Sequence, residues 1–185
     1  MRSAAKTVSI LIAVIIFIFS SSVAKGIPNF NNYQRDASIS IAYEIAKEIG
    51  SDKIAFLFCD YNSSSPLGIK TFFDSYPSLK KKNILYLDSI GTGDTILIGY
   101  SKGKSKSAER LVNLISDHSA LKRQITNENV SYLSYVDEGV IICTGFLNDS
   151  DELYCLNMRT KNDNKIDIEL VSYIKELIVR YIANI

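Results

Sequence analysis

Apolar positions along the chain follow two different periods, and their alternation predicts the order of helices and strands. In some segments apolar residues recur every three or four positions, which indicates amphipathic helices, and in others they form short continuous runs, which indicate buried strands. This alternation is typical of a sheet packed between helices, so we expect an α/β fold. The predicted helices cover residues 37–50, 67–76, 107–118 and 167–182, and the predicted strands cover 53–59, 83–90, 93–101 and 138–145.

Two of these strand predictions carry more detail. The run at 53–59 is apolar on both faces, which predicts a central strand of the sheet. The strands at 83–90 and 93–101 are joined by the short sequence Gly-Thr-Gly, which predicts a tight connection between them.

The composition favours one globular domain. The chain has 185 residues, 46% of them hydrophobic, which is enough for the core of a single domain of ordinary size. Its 21 Lys and Arg residues are balanced by 20 Asp and Glu residues. Such a balance creates no long-range positive field, so we expect no nucleic-acid partner.

The N-terminal sequence has the order of a secretory signal peptide. A basic start, MRSAAK, precedes an apolar run at residues 8–19, and small residues follow at Ser22 and Ala24. This pattern predicts cleavage after Ala24. The alternative is an uncleaved anchor, because the stretch from Val8 to Ala24 is close to the lower limit of about 17–25 residues needed to span a bilayer.

Both alternatives place the folded part outside the cytoplasm, secreted or tethered to a membrane. The predicted organisation is therefore a signal peptide or anchor at 1–24, a linker at 25–35 and a domain at 36–185. An uncleaved segment would also give the chain a membrane contact. The serine- and lysine-rich sequence at 101–107 fits either a solvated loop or a contact with anionic lipid next to such an anchor.

The three cysteines, Cys59, Cys143 and Cys155, leave two alternatives open. They fit buried thiols that act as small apolar residues. In an oxidising compartment Cys143 and Cys155 could instead pair across neighbouring strands.

Several segments, taken in order, resemble the di-zinc aminopeptidase family. They are DASISIAYEIAKEIG from Asp36, KIAFLFCDYNSSSPLGIKTFF from Lys53, ILYLDSIG from Ile84, EGVIICTG from Glu138 and RTKNDNKIDIELVSYI from Arg159. Together they span roughly residues 36–183. The resemblance implies a three-layer αβα sandwich with a mostly parallel, mixed central sheet.

The resemblance also implies where metal ligands would lie. The family binds two zinc ions through two histidines, two aspartates and a glutamate. Asp88 falls on one ligand position. Asp36 falls on the bridging aspartate, but an alignment through Glu44 puts Gln34 there instead. The strand that carries the family's first histidine is expected to be missing, because only the predicted linker separates the signal from residue 36.

The other site positions depart from the family. Its two glutamates, a ligand and the general base, align with Asn62 and Ser63, and its last histidine aligns with Arg159. The single histidine, His118, falls on a predicted helix end away from the family's pattern. For Arg159 the sequence suggests a salt bridge with Asp88 or Asp163.

These departures predict a domain without peptidase activity and without a cofactor. A catalytic zinc ion needs about three protein ligands, and Arg159 would bring a permanent positive charge to a former ligand position. We therefore expect a domain that binds a peptide or protein ligand. The alternative is an active zinc-dependent hydrolase of the same family with other ligands. Asp88 has a structural interpretation too, as a residue that caps the turn after its strand.

Overall fold

The computed structural model describes residues 14–20, 33–49, 54–60, 67–100, 105–124, 133, 135–154 and 165–185. The strands are β1 (Val14–Ser20), β2 (Ile54–Asp60), β3 (Asn83–Leu87), β4 (Thr95–Tyr100), β5 (Ser119–Gln124), β6 (Gly139–Leu147) and β7 (Leu153–Tyr154). The helices are α1 (Tyr33–Ile49), α2 (Leu67–Ser75), α3 (Lys106–Leu114) and α4 (Ile168–Ala183), and a 3₁₀ helix covers Pro77–Lys81.

The strands form one mixed sheet in the order β2-β1-β3-β6-β4-β5, with β7 paired to β6. The pairs β2/β1, β1/β3, β3/β6 and β4/β5 are parallel. β4 and β7 run antiparallel to β6. The prediction of a mostly parallel, mixed sheet is confirmed.

Helices cover both faces of this sheet, as a three-layer sandwich requires. Successive residues of a strand point to opposite faces. Accordingly, Leu85 and Leu87 of β3 pack in the cluster formed with α1, α3 and α4, whereas Ile84 and Tyr86 pack in the cluster formed with α2. All four side chains are at most 1% exposed, which explains the unbroken apolar run of this strand.

The N-terminal apolar run forms a strand of the sheet. β1 lies between β2 and β3, with Val14 opposite both Ile54 and Asn83. The sheet thus includes a strand from the segment for which the sequence predicted a signal peptide or anchor, N-terminal to residue 36. A short uncharged apolar run suits a strand inside a parallel sheet as well as a signal peptide, so the pattern alone does not separate the two. Cleavage after Ala24, anchoring and export stay predictions.

One finer expectation about the strands is wrong, and one short connection has an outcome that the sequence did not indicate. β2 lies at the end of the sheet and pairs only with β1 among the described strands, although its sequence predicted a central strand. β3 and β4 follow each other in sequence, but β6 lies between them in the sheet. The apolar residues of a strand indicate that it is buried, but they do not indicate how many strands pair with it. A short connection can join two strands that have a third strand, from later in the sequence, between them.

Within the described residues, no helix is both long enough and apolar enough to cross a membrane.

Candidate functional site

The carboxyl ends of four parallel strands lie side by side. The register pairs Ser20 of β1 with Asp60 of β2, and Leu87 of β3 with Ile142 of β6. Ligands of open α/β sheets bind at the carboxyl ends of the strands, where the loops diverge. We call this side of the sheet, with the turn at residues 88–92 that follows β3, the carboxyl edge.

Backbone and hydroxyl hydrogen bonds hold this turn against β6. The Asp88 amide donates to the Ile142 carbonyl over 3.1 Å, and the Thr144 amide donates to the Ser89 carbonyl over 3.2 Å. The buried Thr144 hydroxyl accepts from the amides of Gly91 at 3.0 Å and Thr92 at 3.3 Å. The Thr144 hydroxyl also donates to the Ser89 carbonyl over 3.4 Å. One threonine thus satisfies three polar groups of the turn.

The backbone of the turn is unusual. Ser89 has φ 52° and Gly91 has φ 110°. A left-handed conformation is uncommon for a residue with a side chain and costs free energy unless its surroundings hold it in place. Ser89 is nearly buried, and its hydroxyl donates to a carboxylate oxygen of Asp88 over 3.0 Å. Asp88 therefore begins a turn that is held by the hydrogen bond from Ser89 to Asp88 and by the hydrogen bonds to β6.

The residues that the resemblance singled out fall in different places. Asp88 lies at the carboxyl edge directly after β3 and is half-buried, and its role as a metal ligand stays a prediction. Asp36 and its alternative Gln34 both lie in the first turns of α1. Asn62, Ser63, Arg159 and Asp163 lie outside the described residues, so the predicted vacated positions and the Arg159 salt bridge stay predictions.

His118 directly precedes β5, whose first residue, Ser119, pairs with Thr95 at the start of β4. It occupies the connection between α3 and β5, and its ring meets the Tyr173 ring edge to face at 4.4 Å. This contact with α4 gives His118 a packing role.

The described residues do not fit a zinc centre. Nowhere among them do three His, Cys, Asp or Glu side chains converge closely enough to hold a metal ion. A catalytic zinc site needs about three such ligands. The turn at 88–92 contains one carboxylate, Asp88, together with hydroxyl and amide groups, which suits hydrogen bonding to a ligand.

Sequence reasoning missed the importance of Thr144 and Ser89. Both residues have a weak signal: each is a polar residue at the end of an apolar strand run, where buried hydroxyls must find partners. Thr92 differs from them, because its hydroxyl oxygen is buried and has no hydrogen-bond partner among the residues that the structure describes.

The fold has known counterparts. A zinc aminopeptidase from Bacillus subtilis, BSAP, superposes with a TM-score of 0.68 at 18% identity over 97% of this chain and 47% of its own. A second structure of BSAP gives 0.65 at 16% over 92% and 46%. A peptidase candidate from Clostridium acetobutylicum gives 0.66 at 11% over 94% and 41%.

The chain has a zinc-aminopeptidase-like fold. Identities this low show the fold alone, and the chain spans less than half the length of each of these proteins. No model of a protein family and no curated protein matches the sequence. The resemblance inferred from short sequence segments is thus supported at the level of the fold.

Proposed function

We propose that this chain is a peptidase-like domain that binds a peptide or protein segment at the carboxyl edge without hydrolysing it. The observation that carries the proposal is the turn at 88–92, where Asp88 bonds to Ser89 and the backbone is held by Thr144. A fixed turn with a half-buried carboxylate and backbone groups is preorganised to hydrogen-bond an extended ligand.

The sequence supports the absence of hydrolysis. Asn62 and Ser63, at the positions that align with the family's glutamates, do not titrate near neutral pH and cannot serve as a general base. An arginine at position 159 would repel a dication, because its guanidinium keeps its charge at every accessible pH. The proposed domain is accordingly a degenerate member of the fold and needs no cofactor.

The second candidate is an active zinc-dependent hydrolase. It is favoured by Asp88, a carboxylate at the carboxyl edge of a fold shared with zinc aminopeptidases. Other ligands would have to complete such a centre.

Zinc content and turnover separate the two candidates. The purified chain, the variant Asp88→Asn and the control Asp137→Asn are incubated with zinc and a panel of aminoacyl-nitroanilides. Asp137 is an exposed acid that precedes β6 at the opposite edge of the sheet, so its variant matches the charge change outside the carboxyl edge. We expect background rates and no stoichiometric zinc in all three. Zinc-dependent turnover that Asp88→Asn abolishes and Asp137→Asn retains would establish the hydrolase instead.

Ligand binding is tested with a phage-displayed library of random peptides. We expect enriched peptides to bind the wild-type chain and the Asp137→Asn control equally, and to bind Asp88→Asn at least about tenfold more weakly, a loss of about 1.4 kcal/mol. Equal binding by all three proteins would move the binding site away from the carboxyl edge.

A further inference from the structure

The two strands at the ends of the sheet differ in their side chains. β5 carries Lys122 and Arg123, both exposed, whereas the only charged residue of β2 is its last, Asp60. Exposed charges on a terminal strand discourage pairing with another chain, and an apolar terminal strand without them is a template for such pairing. β2 pairs only with β1 among the described strands, so its outer side is the place where a further strand would add to the sheet.

An apolar cavity lies next to β2. It has a volume of about 430 Å³ and lies between α1 and Phe56 of β2. The part formed by α1 consists mainly of Ile39, Ala42, Tyr43 and Ala46. These residues are three or four positions apart, so they lie on one face of the helix.

This face of α1 points away from the middle of the sheet. α4 contacts both α1 and α3, and Glu48 of α1 forms an ion pair with Lys175 of α4 over 3.1 Å. Two positions along a helix turn the side chain to the opposite side, so Ala46 faces away from α4. Ala46 is exposed, and Tyr43 is 60% exposed. We call β2 together with this face of α1 the β2 surface.

The charges beside the cavity are balanced. Glu44 and Lys47 form an ion pair over 3.0 Å, and the Lys47 ammonium group lies 4.3 Å from the centre of the Tyr43 ring. An interface about a two-fold axis brings the same surface of two copies together, so a surface with one acid and one base is complementary to itself. The chain as a whole, with 21 basic and 20 acidic residues, adds no net repulsion between two copies.

The size of the β2 surface is sufficient for a weak specific dimer. β2 has seven residues, which at about 3.3 Å per residue, with helix and sheet layers about 10 Å apart, give a surface of about 23 Å by 20 Å. Two copies would therefore bury about 1,000 Å² in total, which is close to the lower limit for a biological interface.

We infer that two copies of this chain associate through the β2 surface. The two β2 strands would pair antiparallel about a two-fold axis and join the two sheets into one. The two α1 helices would then lie side by side, so that Tyr43 of each copy approaches the cavity of the other. The charged β5 strands would form the two ends of the joined sheet, which stops the assembly at two copies. The carboxyl edges would point in opposite directions, and both would stay accessible.

The experiment is sedimentation velocity of the full chain between about 1 and 100 µM. The test variants are Tyr43→Glu and Ala46→Glu, which place like charges of the two copies against each other at exposed positions. The control is Tyr76→Glu. Tyr76 is 56% exposed, similar to Tyr43, and its ring contacts Phe72 of α2 on the other face of the sheet. Equal melting temperatures of the monomeric forms establish that all variants are folded.

We expect the wild-type chain and Tyr76→Glu to form dimers with a Kd of about 10 µM, and both test variants to dimerise at least about tenfold more weakly. A wild-type chain that is monomeric at about 100 µM, assembly beyond two copies, or equal weakening in Tyr76→Glu would overturn the inference.

Hydrogen exchange of the β2 amides separates a second copy from other occupants. We expect the amides of Ile54–Asp60 to exchange more slowly in the wild-type dimer than in Ala46→Glu. Equal protection in both proteins would show that another segment of the same chain covers β2, and protection that appears only with added library peptides would show a peptide partner. Either result would overturn the inference. No ligand of the carboxyl edge takes part in these experiments, so their outcomes are independent of the proposed function.

Discussion

The hydroxyl oxygen of Thr144 lies 3.0 Å from the amide nitrogen of Gly91, and this contact joins β6 to the turn that follows β3. The two residues are far apart in sequence, so the contact forms only when β6 is inserted beside β3. The carboxyl edge depends on it, because the same hydroxyl accepts from Thr92 and is directed at Ser89.

Two threonines of this turn should respond in opposite ways to the same change. Thr144→Val removes the acceptor of two amides, and we expect a loss of about 1–3 kcal/mol, because buried donors are left unsatisfied. Thr92→Val removes a buried hydroxyl that has no partner, so its stability should be unchanged or slightly higher. Urea unfolding at neutral pH measures both. A Thr92→Val loss equal to that of Thr144→Val would contradict the assigned contacts.

Gly93 should tolerate no side chain. Its φ is 93°, and a Cβ atom there would lie only 2.0 Å from the carbonyl oxygen of Gly145. Gly93→Ala must therefore move the backbone of β4 or β6, and we expect a loss of several kcal/mol, at the upper end of single-residue effects. Gly68→Ala, on an exposed position of α2, is the control and should gain up to about 1 kcal/mol from helix propensity. Thermal unfolding monitored by circular dichroism gives both values.

The N-terminal strand should be required for folding. Because β1 lies between β2 and β3, its removal would expose the facing backbone groups of both strands. We expect a chain that starts at residue 14 to unfold cooperatively and a chain that starts at residue 21 to show no cooperative transition. Cooperative unfolding of the chain that starts at residue 21 would contradict this prediction, because it would show that the domain folds without β1. Mass spectrometry of the chain expressed with its N-terminus intact would show directly whether cleavage after Ala24 occurs.

Tyr181 should make the free energy of unfolding decrease at alkaline pH. Burial raises the pKa of its hydroxyl above the usual value of about 10. The folded chain therefore retains this proton when the unfolded chain loses it, so the contribution is complete below pH 10 and is lost as the pH rises through the folded pKa. Tyr181→Phe should flatten the decline of the unfolding free energy above about pH 10.

Tyr173 provides the matched comparison. Partial burial acts to raise the pKa of Tyr173, but hydrogen bonds to its oxygen, including the one from the Ser116 amide at 3.0 Å, outweigh this and lower it overall. Tyr173→Phe should therefore not flatten the alkaline decline. If the two variants gave the same pH profile, burial would not be the cause at Tyr181.

The first residues of two helices show how much of the structure the local sequence predicts. The last predicted helix begins at Asp167, and in the structure Asp167 caps α4, because its carboxylate accepts from the Leu170 amide over 3.0 Å. For α3 the sequence suggested a start near Ser107, but Ser105 is the cap and accepts from Ala108 over 3.2 Å. Several serines in one short segment can each serve as a cap, so the type of element is better determined than its first residue.

The sequence by itself determined the class of fold and the position of Asp88 after a buried strand. The spacing of apolar residues and the length of apolar runs are local properties of the sequence. They predicted an α/β sandwich and placed Asp88 at the end of a buried strand. Only the tertiary structure decided that Val14–Ser20 is a strand inside the sheet, that β2 lies at its end, and that β6 separates β3 from β4. Strand order depends on which backbone groups pair across long sequence separations, and every apolar run is equally able to pair. The contact of Thr144 with Gly91 follows from that order, and so does the contact of Ser107 with Asn83.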